Sequence, residues 1–188
     1  MANRMQALGV ALLTATVGLT LAACGTTTVN TTPATPATAQ AKSPAASANV
    51  AHVGATVAAS DSSGDNAKVT LVKVIDPARG ANQFATPDKG KSFVGVVLKI
   101  ADANAKTLQG DANNYVTVIG SDQQTYTADF APIAKYTNFN NGSFTIPAGQ
   151  SSLGAVTFQL PKRVKVVKVQ FDLSGGFGGG TVAQWRVP

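Results

Sequence analysis

Chemistry in this chain of 188 residues has to come from a short inventory: one cysteine, one histidine, nine acidic side chains that are all Asp, and fifteen Lys or Arg. The thiol of Cys24 is the strongest nucleophile present, and it closes the apolar run Leu21-Ala22-Ala23-Cys24. Small residues leave the Ala23–Cys24 bond open to a peptidase, and a thiolate readily takes an alkyl group as a thioether. The imidazole of His52 ends a stretch rich in Thr, Ala and Pro, so a Ser-His-Asp triad would require that stretch to dock in one fixed position. Zinc sites take several His or Cys ligands, more than this inventory supplies. The aspartates are scattered without the D-x-D-x-D-G spacing of a calcium loop; Asp61 and Asp65 around Gly64 come nearest and read as a solvated turn. The run Ser174–Gly180, SGGFGGG, is glycine-rich but lacks the Lys-Ser/Thr and the following helix that hold phosphate, and it reads as a mobile hairpin loop with Phe177 at its tip. The expectation is a protein with no catalytic residue, no metal and no cofactor, and therefore not an enzyme.

Upstream of the cysteine, Arg4 precedes an uncharged run from Ala7 to Ala23. That run is marginal for a spanning helix, which needs about 20 apolar residues, and no basic cluster follows it. A basic start, an apolar middle and small terminal residues make a secretory signal. The ending resembles the lipobox of bacterial lipoproteins, with Leu21 three positions before the cysteine. The resemblance implies cleavage between Ala23 and Cys24 and a diacylglyceryl anchor on Cys24. The protein would then sit on the outer face of the cell membrane. Acyl chains contribute about 0.8 kcal/mol per buried methylene, so two or more hold a soluble domain effectively permanently. The alternatives are an ordinary signal peptide with an incidental cysteine, or an uncleaved anchor. A lipidated Cys24 leaves no thiol for a disulfide, and the exported domain must rely on its own core. The net charge of +6 favours solubility and loose attraction to anionic membrane or wall polymers; nucleic acid is a poor partner for an exported chain.

Three segments follow: a lipoprotein signal peptide over residues 1–23, a lipidated N-terminus and flexible linker over 24–52, and a folded domain over 53–188. The linker is almost entirely Thr, Ala, Pro, Ser, Asn, Gln and Gly, broken by Pro33, Pro36 and Pro44, and too poor in bulky apolar groups to offset the entropy of ordering. As a coil it reaches on the order of 30 Å, and nearer 90 Å if extended. Beyond it the apolar pattern has period two. In SFVGVVLKI, Val94, Val96, Leu98 and Ile100 share one face. KVTLVKVI, NYVTVIG, QTYTA, the halves of SFTIPAGQSSLGAVTFQLP and TVAQWRV complete the set, with Gly120–Gln123 as a hairpin loop. In VKVVKVQFDL, Val167, Val169, Phe171 and Leu173 alternate against Lys168, Gln170 and Asp172; parity slips at Val166-Val167, the mark of a β-bulge. Seven or eight short strands without helical periodicity predict an all-β, two-sheet antiparallel sandwich, with a closed barrel as the alternative.

From Pro87 to Phe171 the chain is similar to a telokin-like family of bacterial surface lipoproteins, domain of unknown function 4352. The likeness rests on Pro87, Gly90, Phe93, Val94 and Val96, and then on Pro147, Gly149, Gly154, Val156, Phe158, Leu160 and Pro161. The family's usual Glu-Asn after the long central strand is here Ala101-Asp102. The resemblance implies an immunoglobulin-like sandwich and brings no catalytic residue with it.

One stretch could recognise a partner. Tyr126–Phe144 carries Tyr126, Phe130, Tyr136, Phe139 and Phe144 among polar residues, and aromatics on a connection of a rigid sandwich commonly make binding surfaces. The competing account has them cover the open edge of the sandwich as a satellite core. The basic run Lys162–Lys168 reads as the wet face of a strand. The leading expectation is a non-enzymatic, lipid-anchored binding or adhesion module of the envelope, with an envelope or host protein, glycan or lipid as its partner and Tyr126, Phe130, Tyr136 and Phe139 as its candidate loop. The alternative is a passive structural or antigenic surface lipoprotein without a dedicated ligand.

Overall fold

The computed structural model describes residues 50–137, 139 and 141–188, all of them in the unit Ser43–Pro188. The expected signal peptide, Cys24 with its cleavage site at Ala23, and the linker up to residue 49 lie outside the described residues. Those described form β1 (Ala51–His52), β2 (Thr56–Asp61), β3 (Asn66–Ala78), β4 (Lys91–Asp102), β5 (Leu108–Asp111), α1 (Ala112–Tyr115), β6 (Val116–Gly120), β7 (Thr125–Tyr126), β8 (Ser143–Ile146), β9 (Ser151–Pro161), β10 (Val166–Phe171), β11 (Gly180–Thr181) and β12 (Ala183–Arg186). The expected all-β sandwich is the observed architecture. Its strand count exceeds seven or eight because β1, β7 and β11, of two residues each, extend the sheets and because β5 and β8 form a ribbon of their own.

One sheet has the order β1-β12-β10-β6-β7 and the other β11-β2-β3-β4-β9; β5 and β8 form a separate ribbon. All ladders are antiparallel except β1 on β12. Ala51 and His52 thus belong to the sheet, two residues earlier than the linker was expected to end, and His52 pairs with Arg186 as an exposed strand residue.

The inner faces interdigitate as the period-two pattern requires. Val94, Val96, Leu98 and Ile100 of β4 join Val156, Phe158 and Leu160 of β9, Val69 and Leu71 of β3, and Val118, Val169, Phe171 and Trp185 of the facing sheet. The Trp185 indole N–H is buried with its ring and donates to the Ala55 carbonyl at 2.9 Å. The expected bulge in β10 is present as a register shift between Val166 and Lys168. It turns Val166 inward and leaves Val167 outside at 39% exposure, the reverse of the facing expected for Val167. Ser174–Gly180 is not a hairpin loop: it carries the chain from β10 in one sheet to β11 in the other, with Phe177 96% exposed.

A second departure decides what the outer face of the β3-β4-β9 sheet looks like. Leu71 pairs with Leu98, yet Lys73 pairs with Val97, so β3 has a bulge at Val72. Both Val72 and Lys73 then point outward, and Val74 returns to the core. The same shift places Lys73 and Ile75 over the outer face, where Phe93 and Val97 of β4 and Ala155 of β9 form a second apolar cluster.

Candidate functional site

The second cluster cannot face water unprotected, and described residues of the segment 127–142, with Ala131, Ile133 and Tyr136 foremost, cover it. This strap is stitched down by main-chain bonds. Asp129 N–H donates to Thr157 O at 2.7 Å, Ala81 N–H to Pro132 O at 2.9 Å, Ala134 N–H to Arg79 O at 2.8 Å, and Ala155 N–H to Thr137 O at 2.9 Å. Two of these bonds satisfy the otherwise open edge of β9, which would be a template for unwanted strand pairing. The Asp129 carboxylate accepts from Gln159 Nε2 at 2.6 Å and from Ala131 N–H at 2.7 Å, fixing where the strap starts. Ile133 is then buried against Phe93, Val97 and Ala155, with Tyr136 packed beside it.

The four aromatic candidates do not share one surface. Tyr126 ends the β6–β7 hairpin, where its hydroxyl donates to Asp122 Oδ2 at 2.6 Å. That carboxylate pushes the phenol up to about 12. In return, the phenol's hydrogen bond holds the Asp122 carboxyl below the ordinary carboxylate range. Phe130 is 70% exposed at the start of the strap. Tyr136 lies on the outer side of the sheet, with Lys73 Nζ 5.1 Å from its ring centroid. Phe139 passes round β9 to the other side and is 4% exposed, edge-to-face with Phe144 at 5.9 Å between centroids. The sequence offers the aromatic spacing; it does not show that the edge of β9 would divide the set between two faces.

Among the described residues of the strap, three other than glycine have positive φ: Lys135 at 75°, Phe139 at 38° and Asn141 at 63°. Such conformations cost on the order of 1–3 kcal/mol each and persist only where surrounding contacts over-determine them. The result is a preformed relief with two hollows separated by Ile133 and Tyr136. One, of about 560 Å³, lies between the strap and β8–β9, with Phe139 and Phe144 at its base and Thr137, Asn141 and Ser143 around it. The other, of about 340 Å³, is walled by Lys73, Arg79 and Lys135 over Ile75 and Ile133. The cations were not singled out from the sequence because they are far apart along it. The available signal was the parity slip after Leu71, of the same kind as the one legible at Val166-Val167.

Elsewhere the carboxylates serve turns. Asp61 accepts from Ser63 Oγ at 2.6 Å and from the Asp65 N–H at 2.8 Å, and its carboxyl is held low by the Ser63 hydroxyl. Asp102 accepts from the N–H groups of Asn104, Lys106 and Gly149, joining two loops, and the Asn104 bond leads in lowering its pKa. Among the described residues no group of three or more His, Cys, Asp or Glu could hold a metal ion. No helix among them is long and apolar enough to cross a membrane.

Fold and site together define a two-sheet β-sandwich whose open edge is covered by an aromatic strap. Residues 57–182 match the family described as Domain of unknown function (DUF4352), and the chain belongs to that family. Among solved structures it is similar to MPT63, a secreted protein from Mycobacterium tuberculosis, with a TM-score of 0.53 and 14% identity over 76% of this chain and 100% of that one. It is also similar to ycdA, a candidate lipoprotein from Bacillus subtilis, with a TM-score of 0.49 and 13% identity over 72% of this chain and 39% of that one. The yjhA protein from Bacillus subtilis gives a TM-score of 0.47 and 9% identity over 72% of this chain and 99% of that one. These likenesses concern the fold. No curated protein matches the chain.

Proposed function

We propose that the protein is an extracytoplasmic, non-enzymatic binding module, tethered to the outer face of the cell membrane through acylated Cys24 and recognising an envelope or host component through its strap. The observation that carries the binding reading is the strap itself. Closing the edge of β9 needs only a few main-chain bonds, whereas this segment holds three left-handed residues in place and keeps a hollow of about 560 Å³ open beside Tyr136 and Phe139. Hollows of that size, with an apolar base and a few hydroxyl or amide groups at the rim, suit small ligands or a short piece of a larger one. The Leu21–Cys24 ending supports the anchor. The secreted character of MPT63 is consistent with export. One His and the absence of a second thiol in the whole chain leave little for covalent or metal chemistry.

Two measurements test this. Mass spectrometry of protein from its native host should find a diacylglyceryl group on Cys24, and Cys24→Ser should release the chain from the membrane fraction; an unmodified Cys24 in membrane-bound protein overturns the anchor. For binding, labelled protein should attach saturably to intact envelope, and Thr137→Trp, which fills the hollow from an exposed position, should lower that attachment at least tenfold. Unchanged attachment, or none that saturates, would instead favour the passive coat.

A further inference from the structure

The smaller hollow has a chemistry of its own. Lys73 comes from β3, Arg79 directly follows its last residue, Ala78, and Lys135 comes from the strap. No carboxylate lines the hollow with them, and none of the three cations is in an ion pair among the described residues. The nearest acid in sequence, Asp76, is taken by Lys165 at 2.9 Å. Two features of the backbone bring cationic residues to this concavity. The bulge at Val72 turns Lys73 outward, and a left-handed backbone at φ 75° presents Lys135. Bulges and strained residues of this kind gather where a side chain has to be aimed at a ligand.

Beneath the cations the floor is apolar. Ile75 and the buried Ile133 form it, and Tyr136 stands as a wall with Lys73 against its ring. Three positive charges attract a multiply charged anion, and a guanidinium matches the oxygens of a phosphoryl group two at a time. A bare anion would leave the apolar floor wet. From these features we infer that this hollow binds a phosphoryl group esterified to an apolar body. Its anionic head would lie among Lys73, Arg79 and Lys135, and its apolar part on Ile75, Ile133 and Tyr136. A phospholipid head region and a free phosphate ester share this chemistry. The inference rests on the reading of the strap as a binding wall, and it assigns the ligand class of the hollow on the opposite side of Tyr136 from Thr137.

The test is calorimetric titration of the full chain in a nonionic detergent with inorganic phosphate, phenyl phosphate and dibutanoyl phosphatidylglycerol. At least one ester should bind tenfold or more tighter than inorganic phosphate, and the tighter ester identifies the source as free or lipid. Lys135→Asn removes a charge while placing a residue better suited to φ 75°, so it should fold at least as well as the parent. Combined with Lys73→Met and Arg79→Gln, it should weaken ester binding tenfold or more. Thr137→Trp should leave ester binding unchanged, so failure of the larger hollow and failure of this one give different results. Equal affinity for inorganic phosphate and both esters, no binding of any probe, or full binding by the folded triple variant overturns the inference.

Discussion

Asp122 and Tyr126 illustrate how one hydrogen bond can be read by titration. The bond closes the β6–β7 hairpin at 2.6 Å and raises the phenol from its ordinary 10.0 to about 12. A raised folded value means that the stability this phenol contributes is whole below pH 10 and is lost as pH climbs toward 12. The Asp122 carboxyl shifts the other way, so its contribution is present above the ordinary Asp value and is lost as pH falls through the lowered one. The tie is therefore complete across the neutral range and fails at both extremes. Ultraviolet titration of the phenolate should show one tyrosine ionising near pH 12. In Asp122→Asn, where an amide replaces the charge, that ionisation should move down toward pH 10. A Tyr126 transition unmoved by the substitution would show that the carboxylate is not its cause.

The strap and the strand it wraps account for both what could be read in advance and what could not. Alternation along 91–102 and 151–161 places the core side of β4 and β9 correctly, because period two fixes facing wherever a strand is regular. It fails where a bulge interrupts it, as with Val167, and it is silent about the outer face of β4, whose Phe93 and Val97 are buried only because distant residues cover them. Gly154 stands in the family pattern without an evident reason in sequence; in the fold, an added Cβ there would lie 2.7 Å from the Phe139 ring. The apolar spacing of the strap gives its aromatics but not their division by an edge strand. Consequently, residues that look equivalent should behave differently. Phe139→Ala empties a site in the core and should cost about 3–5 kcal/mol, whereas Phe130→Ala, at 70% exposure, should stay within about 0.5 kcal/mol. Gly154→Ala should cost about 1–3 kcal/mol by overpacking, more than the few tenths to one that a less flexible unfolded chain returns. Chemical denaturation of the three variants measures all of this, and equal losses at Phe130 and Phe139 would contradict the placement of the strap.

At the scale of the molecule, the question is what makes two sheets one folding unit when no disulfide joins them. The sheets share no ladder, yet among the described residues the chain passes between them six times: at the β1–β2 turn, through β5 and α1 before β6, between β7 and β9, at the β9–β10 turn, through the glycine-rich stretch after Leu173, and between β11 and β12. Cohesion must come from the apolar layer, and Trp185 is its largest side chain. Trp185 belongs to β12 in one sheet, and its N–H reaches the carbonyl of Ala55 in the turn that leads into β2 of the other. The side chain therefore ties the sheets by area and by a directed bond together. Trp185→Phe keeps much of the apolar area and removes the donor, so the Ala55 carbonyl loses its indole partner. The expected cost is about 1–3 kcal/mol from that group, with a cavity term added. Because the lost contact bridges the sheets rather than lying within one, unfolding should remain a single transition, displaced to lower denaturant with an unchanged slope. Far-ultraviolet circular dichroism and tyrosine fluorescence followed on the same samples would check this. If the two signals separated in the variant, Trp185 would be holding together sheets that can each persist alone, and the sandwich would be two cooperative units instead of one.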